Sequence, residues 1–285
     1  SQRRLHCVGE SLFPLPPLEL PPEGEWTSDE QVANLAHVPA VQLLLTRSRA
    51  FASGFALTPA NAAAVAELCR RLAGLPLALE LAAARLRLLS PEQLLVRIDA
   101  WFLNLADANS DRPQHHRNLW ALIEWSFALL SEREQALLCG ISIFAGACTL
   151  GGALAIGEAL GLDDAQTLDL LGGLMDKSLL SMDGSTNPPS YRLLDSVRLF
   201  AHERLAAGNS ETCARREHLM HFVELTEHFN AEGLGERNRL WHERIKREWA
   251  NLHSAFDFAV TQPDLADSAL ALVGNLFWYF RSSTD

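Results

Sequence analysis

Hydrophobic positions recur at helical spacing along most of this chain. Over 38–50 the residues Val41, Leu44, Leu45 and Ser48 fall on one stripe, which predicts an amphipathic helix. Thr58-Pro59 supplies a cap and a first helical residue. Ala62, Val65, Ala66, Cys69 and Leu72 make the apolar face of the helix that follows. Residues 70–84 then read as one helix stopping at Gly74 and a second starting at Pro76, with Leu75 alone between them. Such a corner is sharp and rigid, and its backbone is open to the approach of a flat ligand. Ser90-Pro-Glu-Gln93 and Ser131-Glu-Arg-Glu134 are capping boxes that open two more helices. Thr149 caps a short Gly- and Ala-rich helix, and Asp163-Asp-Ala-Gln166 opens another through Leu171 and Leu174.

The period changes once. Residues 178–182 and 190–194 read as extended and flank a turn-rich loop, which makes a hairpin. Asp195 is placed to cap the helix after it, which runs to Gly208. Three helices, a hairpin and a helix over 114–207 spell a winged-helix domain. Beyond it, three long amphipathic helices are expected at 211–231, 236–260 and 264–280, the opening of an α-solenoid without a strict 34-residue repeat. Before residue 23 the pattern is different: a short extended run is followed by a proline-rich stretch that forbids helix. The polar stretch 104–113 reads as a linker.

Composition narrows the function classes. Net charge is −11, with only two lysines, Lys177 and Lys246. That argues against a broad nucleic-acid footprint, whose affinity comes from neutralising phosphates. The helix in the recognition position carries Asp163, Asp164, Asp169 and Asp176 against Lys177, and the wing loop adds Asp183 and no cation. Base-edge readout uses Arg, Lys, Asn and Gln, so direct DNA binding by this helix is not expected. Five dispersed cysteines with no C-x-x-C read as reduced thiols. No apolar run nears the roughly 20 residues of a membrane helix, and the expected location is the cytoplasm. The chain opens on Ser1 and is expected to be a piece of something longer. No G-x-x-x-x-G-K-[ST] loop, nucleophile elbow or complete H-E-x-x-H is present. His218 and His221 lie i, i+3 near Glu217 and Glu224, but a solvated polar face explains them better than a metal, so no metal or catalytic residue is assigned.

In order, these residues resemble the middle of a bacterial signal-transduction ATPase of the STAND class, nearest to NB-ARC-type transcriptional regulators. Residues 1–10 resemble the end of the sensor strand, with Gln2 or Arg3 at the sensor position. Gly74-Leu-Pro-Leu-Ala78 matches the family's Gly-Leu-Pro-Leu-Ala motif, whose proline lies against the nucleotide base. Tyr191-Arg-Leu-Leu-Asp-Ser-Val-Arg198 takes the place of the Met-His-Asp motif, with Leu194 where the family's phosphate-sensing histidine stands and Asp195 keeping the acid.

The resemblance implies a mainly α protein. It would comprise the end of a nucleotide-binding domain and a connector (1–22), a helical subdomain (23–113), a winged helix with a small β-hairpin (114–207) and the start of TPR-like helical repeats (208–285). It implies a switch region coupling ADP or ATP state to signal sensing, with Gly74, Leu75, Pro76 and Asp195 as cofactor-binding residues. The phosphate loop and Mg-binding acid would lie upstream of Ser1. ADP/ATP with Mg is therefore expected in the full-length parent, a slow ATPase, and no tight binding or catalysis in this chain. Partners would be proteins, or further copies through the repeats, with DNA bound only by a domain outside the chain. Two other readings remain: a nucleotide-independent interaction module, and a DNA-binding winged-helix protein.

Overall fold

The computed structural model describes residues 17–51, 54–105, 114–186, 188–208, 210–232 and 238–282. The expected sensor strand over 1–10, with Gln2 and Arg3, and most of the 104–113 linker lie outside the described residues. The chain divides into two compact units, residues 1–122 and 123–285. Among the described residues it is mainly helical with one small sheet.

The N-terminal unit contains α1 (Asp29–Ala36), α2 (Pro39–Phe51), α3 (Ala62–Arg71), α4 (Pro76–Arg85), α5 (Pro91–Leu105) and the first part of α6 (Gln114–Ala128). Its core is the set of stripes read from the sequence: Val41, Leu44 and Ser48 of α2 and Ala62, Val65, Ala66 and Cys69 of α3 are all fully buried. α2 packs on α4 and α3 on α5. Asn104 and Leu105 belong to α5, so that helix enters the stretch expected to be linker. α3 also starts later than Thr58-Pro59 predicts. Residues 58–61 form a turn in which the Asn61 side chain accepts from the Thr58 N–H and donates to the Ala56 carbonyl.

The corner is a Schellman turn. The Ala73 N–H donates to the Arg70 carbonyl at 2.9 Å and the Gly74 N–H to the Cys69 carbonyl at 3.2 Å. α3 therefore ends at Arg71, three residues before Gly74, and both Ala73 (φ 55) and Gly74 (φ 63) are left-handed. Leu75 is extended, and Pro76 is the first residue of α4, where its missing N–H costs nothing. Residues 17–22 lie along this corner. The Leu18 N–H donates to the Gly74 carbonyl at 3.0 Å, the Ala40 N–H to the Glu19 carbonyl at 3.2 Å, and the Arg70 guanidinium to the Pro22 carbonyl at 3.1 Å.

The C-terminal unit holds the rest of α6, then α7 (Glu132–Ile141), β1 (Cys148–Thr149), α8 (Leu150–Ala159), α9 (Asp164–Asp176), β2 (Ser181–Asp183), β3 (Ser190–Arg192) and α10 (Asp195–Ala207). The sheet is antiparallel in the order β1-β3-β2, with Cys148 opposite Tyr191 and Met182 opposite Tyr191 on the other side. β1 has only two residues and was not expected from the pattern. Capping boxes at Ser131 and Asp163 and the Thr149 cap start α7, α9 and α8 as the sequence predicts. α8 and α9 meet closely at Gly157, where a Cβ would come within 2.1 Å of the Thr167 hydroxyl.

Next come α11 (Glu211–Glu232), α12 (Asn238–Arg247), α13 (Trp249–Val260), a short 3-10 turn at Pro263–Leu265, α14 (Ala266–Asn275) and α15 (Phe277–Ser282). Two of the three long helices expected here are broken, at Glu248 and at Leu276. α11 packs on α8, α13 and α14.

The two left-handed residues make opposite predictions. Gly74→Ala should destabilise the chain by about 2 kcal/mol or more, because it adds left-handed strain and a Cβ 2.3 Å from the Leu18 carbonyl oxygen. Ala73→Gly should instead be neutral or stabilise by up to about 1 kcal/mol, since glycine relieves the strain at the helix end. Urea unfolding of the two variants measures both.

Candidate functional site

The sequence-predicted site residues fall in different units: Gly74, Leu75 and Pro76 in the first, Asp195 in the second. Gly74 is buried, Leu75 half-buried and Pro76 exposed. The corner was expected to be an empty ligand surface, and at Gly74 it is not. Leu18 occupies that face, using the Gly74 carbonyl and standing where a side chain would be. The surface left to a ligand is that of Pro76. Asp195 does not cap α10. The N-cap is Leu194, which is extended, and Asp195 is the first helical residue, exposed in the first turn without a side-chain cap bond. A carboxylate there still favours the helix dipole.

The third helix of the winged element, α9, presents carboxylates to solvent. Asp163, Asp164, Asp169 and Asp176 are all exposed, with Leu168 among them at 46%. Lys177 at its end is turned back to the buried carboxylate of Glu134, with which it forms an ion pair. Glu134 also accepts from the Ser131 N–H at 2.8 Å, closing the capping box of α7. Burial pushes the Glu134 carboxyl up, but the Lys177 and Ser131 hydrogen bonds together hold it below the usual range. The cation of α9 is thus spent inside the domain.

The wing turns at Asp183, whose carboxylate accepts from the Ser185 N–H at 2.9 Å and hydroxyl at 2.6 Å, which lowers its pKa. Sequence reasoning gave the wing no cation, yet β3 carries the exposed Arg192. Arg192 lines a cavity of about 360 Å³ between the wing and α12, together with Arg244 and Arg247. The context of that arginine comes from α12 and Glu248, more than 50 residues further on.

His218 and His221 are not a solvated pair. His218 is 2% exposed and packs edge-on to Phe144 at 4.7 Å and against Phe222 at 4.8 Å. Among the described residues no group of three or more His, Cys, Asp or Glu could hold a metal ion. Burial, with smaller contributions from His221 and Arg215, pushes His218 down to about 3. The thiols of Cys69 and Cys139 are raised by burial, to about 12 and about 11.

The class of domain follows from this topology and is matched independently. Residues 130–206 fit the family model of a winged helix-turn-helix domain. A Mycobacterium tuberculosis protein named "Putative HTH-type transcriptional regulator" is 36% identical over 246 residues, which are 85% of this chain and 27% of that protein. A Mycobacterium bovis protein of the same name has the same identity and coverage. An uncharacterized protein of Mycobacterium tuberculosis is 34% identical over 218 residues, 76% of this chain and 51% of its own length. The chain spans about a quarter to a half of the length of these curated relatives. No helix among the described residues is long and apolar enough to cross a membrane.

The buried imidazole predicts an acid-side loss of stability. Its folded pKa, about 3, lies below the ordinary 6.5. Between those values the unfolded chain binds a proton that the native chain does not, so stability is full above pH 6.5 and falls as pH drops toward 3. The whole effect is on the order of 5 kcal/mol. His218→Leu should flatten this part of the curve, seen in denaturant unfolding of both chains from pH 7.5 to 4.

Proposed function

We propose that the chain is a regulatory region of a transcriptional regulator, in which the winged helix faces protein rather than DNA and the Gly74–Pro76 corner contributes to a nucleotide site in the full-length protein. The observation that carries the first half is the charge of α9. A recognition helix placed in a major groove sets its outer residues near phosphates. Here four aspartates of that helix and its cap are exposed, and the lysine at its end is paired with Glu134. The names of the relatives support the regulatory class. The nucleotide half rests on the motif resemblance, with Pro76 exposed at the start of α4 to meet a base. In this reading ADP would favour a closed state, and its exchange for ATP on signal binding would open it. That requires the nucleotide to bind the two states with different affinity.

A second reading has a specific observation behind it: the match to a helix-turn-helix domain favours direct DNA contact by residues 130–206. The two readings differ in salt dependence. Proteins that neutralise 6–10 phosphates lose about 10³–10⁵ in DNA affinity between 50 and 200 mM salt. Fluorescence anisotropy of the chain with mixed-sequence and genomic duplexes should show no such salt-sensitive binding, and finding it would install the DNA reading. In the full-length protein, Pro76→Ala should weaken ADP binding roughly fivefold, about 1 kcal/mol, by calorimetry. Unchanged affinity would remove Pro76 from the nucleotide site.

A further inference from the structure

We propose that the seam between the wing and the α12–α13 junction binds a small phosphate-bearing ligand, a site separate from the corner at Pro76. The cavity there, about 360 Å³, is within the size range of small-molecule sites. Three arginines from two distant stretches of sequence line it: Arg192 of β3, and Arg244 and Arg247 one turn apart on α12. The planar guanidinium fork matches phosphate oxygens two at a time, which an ammonium cannot do.

Two carboxylates share the lining, and both have other commitments. Asp183 is held by Ser185, and Glu248 accepts from the buried amide of Asn251 at 2.7 Å. Three guanidinium groups and two carboxylates line the cavity, in a chain whose net charge is −11. Arg244 and Arg247 both act on the buried Glu248. Arg192 acts on Asp183 and is absent from the groups acting on Glu248. Like charges one turn apart repel each other, at a cost of a few tenths of a kcal/mol. The Nε of Arg244 is buried with no hydrogen-bond partner. An orphaned charged donor in a cavity wall is costly, and an entering anion oxygen would satisfy it. A crowded arginine pair, a third arginine on the facing strand and an unmet donor fit a compact polyanion.

The test uses inorganic pyrophosphate on the intact chain, followed by thermal unfolding at matched ionic strength against chloride. Binding to the native state alone raises the melting temperature saturably with ligand concentration. The double variant Arg192→Gln/Arg247→Gln replaces two exposed side chains, so the fold should survive, as checked by its unliganded melt and circular dichroism. It should bind pyrophosphate at least tenfold more weakly, while Pro76→Ala should respond like the parent. The proposal is overturned if pyrophosphate gives no saturable shift, or if the double variant responds unchanged. Loss of the response in Pro76→Ala would also overturn it by moving the site to the corner. So would Arg192- and Arg247-dependent capture of duplex DNA with no pyrophosphate effect.

Discussion

The C-terminal unit depends on one buried carboxamide. Asn251 of α13 is 1% exposed; its oxygen accepts from the Gly146 N–H at 3.1 Å and its nitrogen donates to the Ala147 carbonyl at 3.0 Å. The same nitrogen donates to Glu248. Residues 146 and 147 lead directly into β1, and β1 sets the position of β3 through the pairs Cys148–Tyr191 and Thr149–Ser190. The wing is therefore anchored by a side chain about 105 residues downstream of the turn it satisfies. Removing that amide would orphan backbone groups on the winged side and a carboxylate on the helical side together. Each buried unsatisfied group costs about 1–3 kcal/mol. Glu248 is also where the helix expected over 236–260 breaks, so the same contact sets the junction that presents Arg244 and Arg247.

A second seam runs alongside the first and is apolar. Phe144, three residues beyond α7, meets His218 and Phe222 of α11, and α11 lies across α8. A neutral imidazole in such a place serves as a flat ring, and burial keeps it neutral. Polar and apolar seams together make the winged helix and the helices after it one compact unit. The consequence for function is directional. With α8 packed on α11 and α7 on α10, the acidic side of α9 remains an exposed helical face of the winged element.

What the sequence revealed was governed by local chemistry. Caps are written in three or four residues, so Ser131, Thr149 and Asp163 could be read directly, and the stripes of α2 and α3 follow from the period alone. β1 could not be read, because two residues carry no period and its pairing partner lies some 40 residues away. Asn61 and Thr58 formed a turn through side-chain bonds that compete with helix, which delayed α3. The breaks at Glu248 and Leu276 sit in sequence with helical periodicity on both sides, and tertiary packing decides them. Arg192 was passed over for a related reason: its meaning comes from Arg244 and Arg247, which only the fold brings to the same cavity.

The corner shows how a motif can mix two kinds of constraint. Gly74 has a left-handed backbone and the Leu18 carbonyl lies where its side chain would be, so packing alone requires glycine there. Its presence therefore carries no information about a ligand. Ala73 is left-handed as well without being glycine, which shows that the helix end by itself would tolerate a Cβ and that the contact with residues 17–22 is the stricter demand. Pro76 is in the reverse position. A first helical position accepts proline without requiring it, and among the described residues the ring stays exposed beside a buried glycine. Packing accounts for Gly74 and leaves Pro76 exposed, so a ligand-directed role at the corner would rest on Pro76 rather than on Gly74.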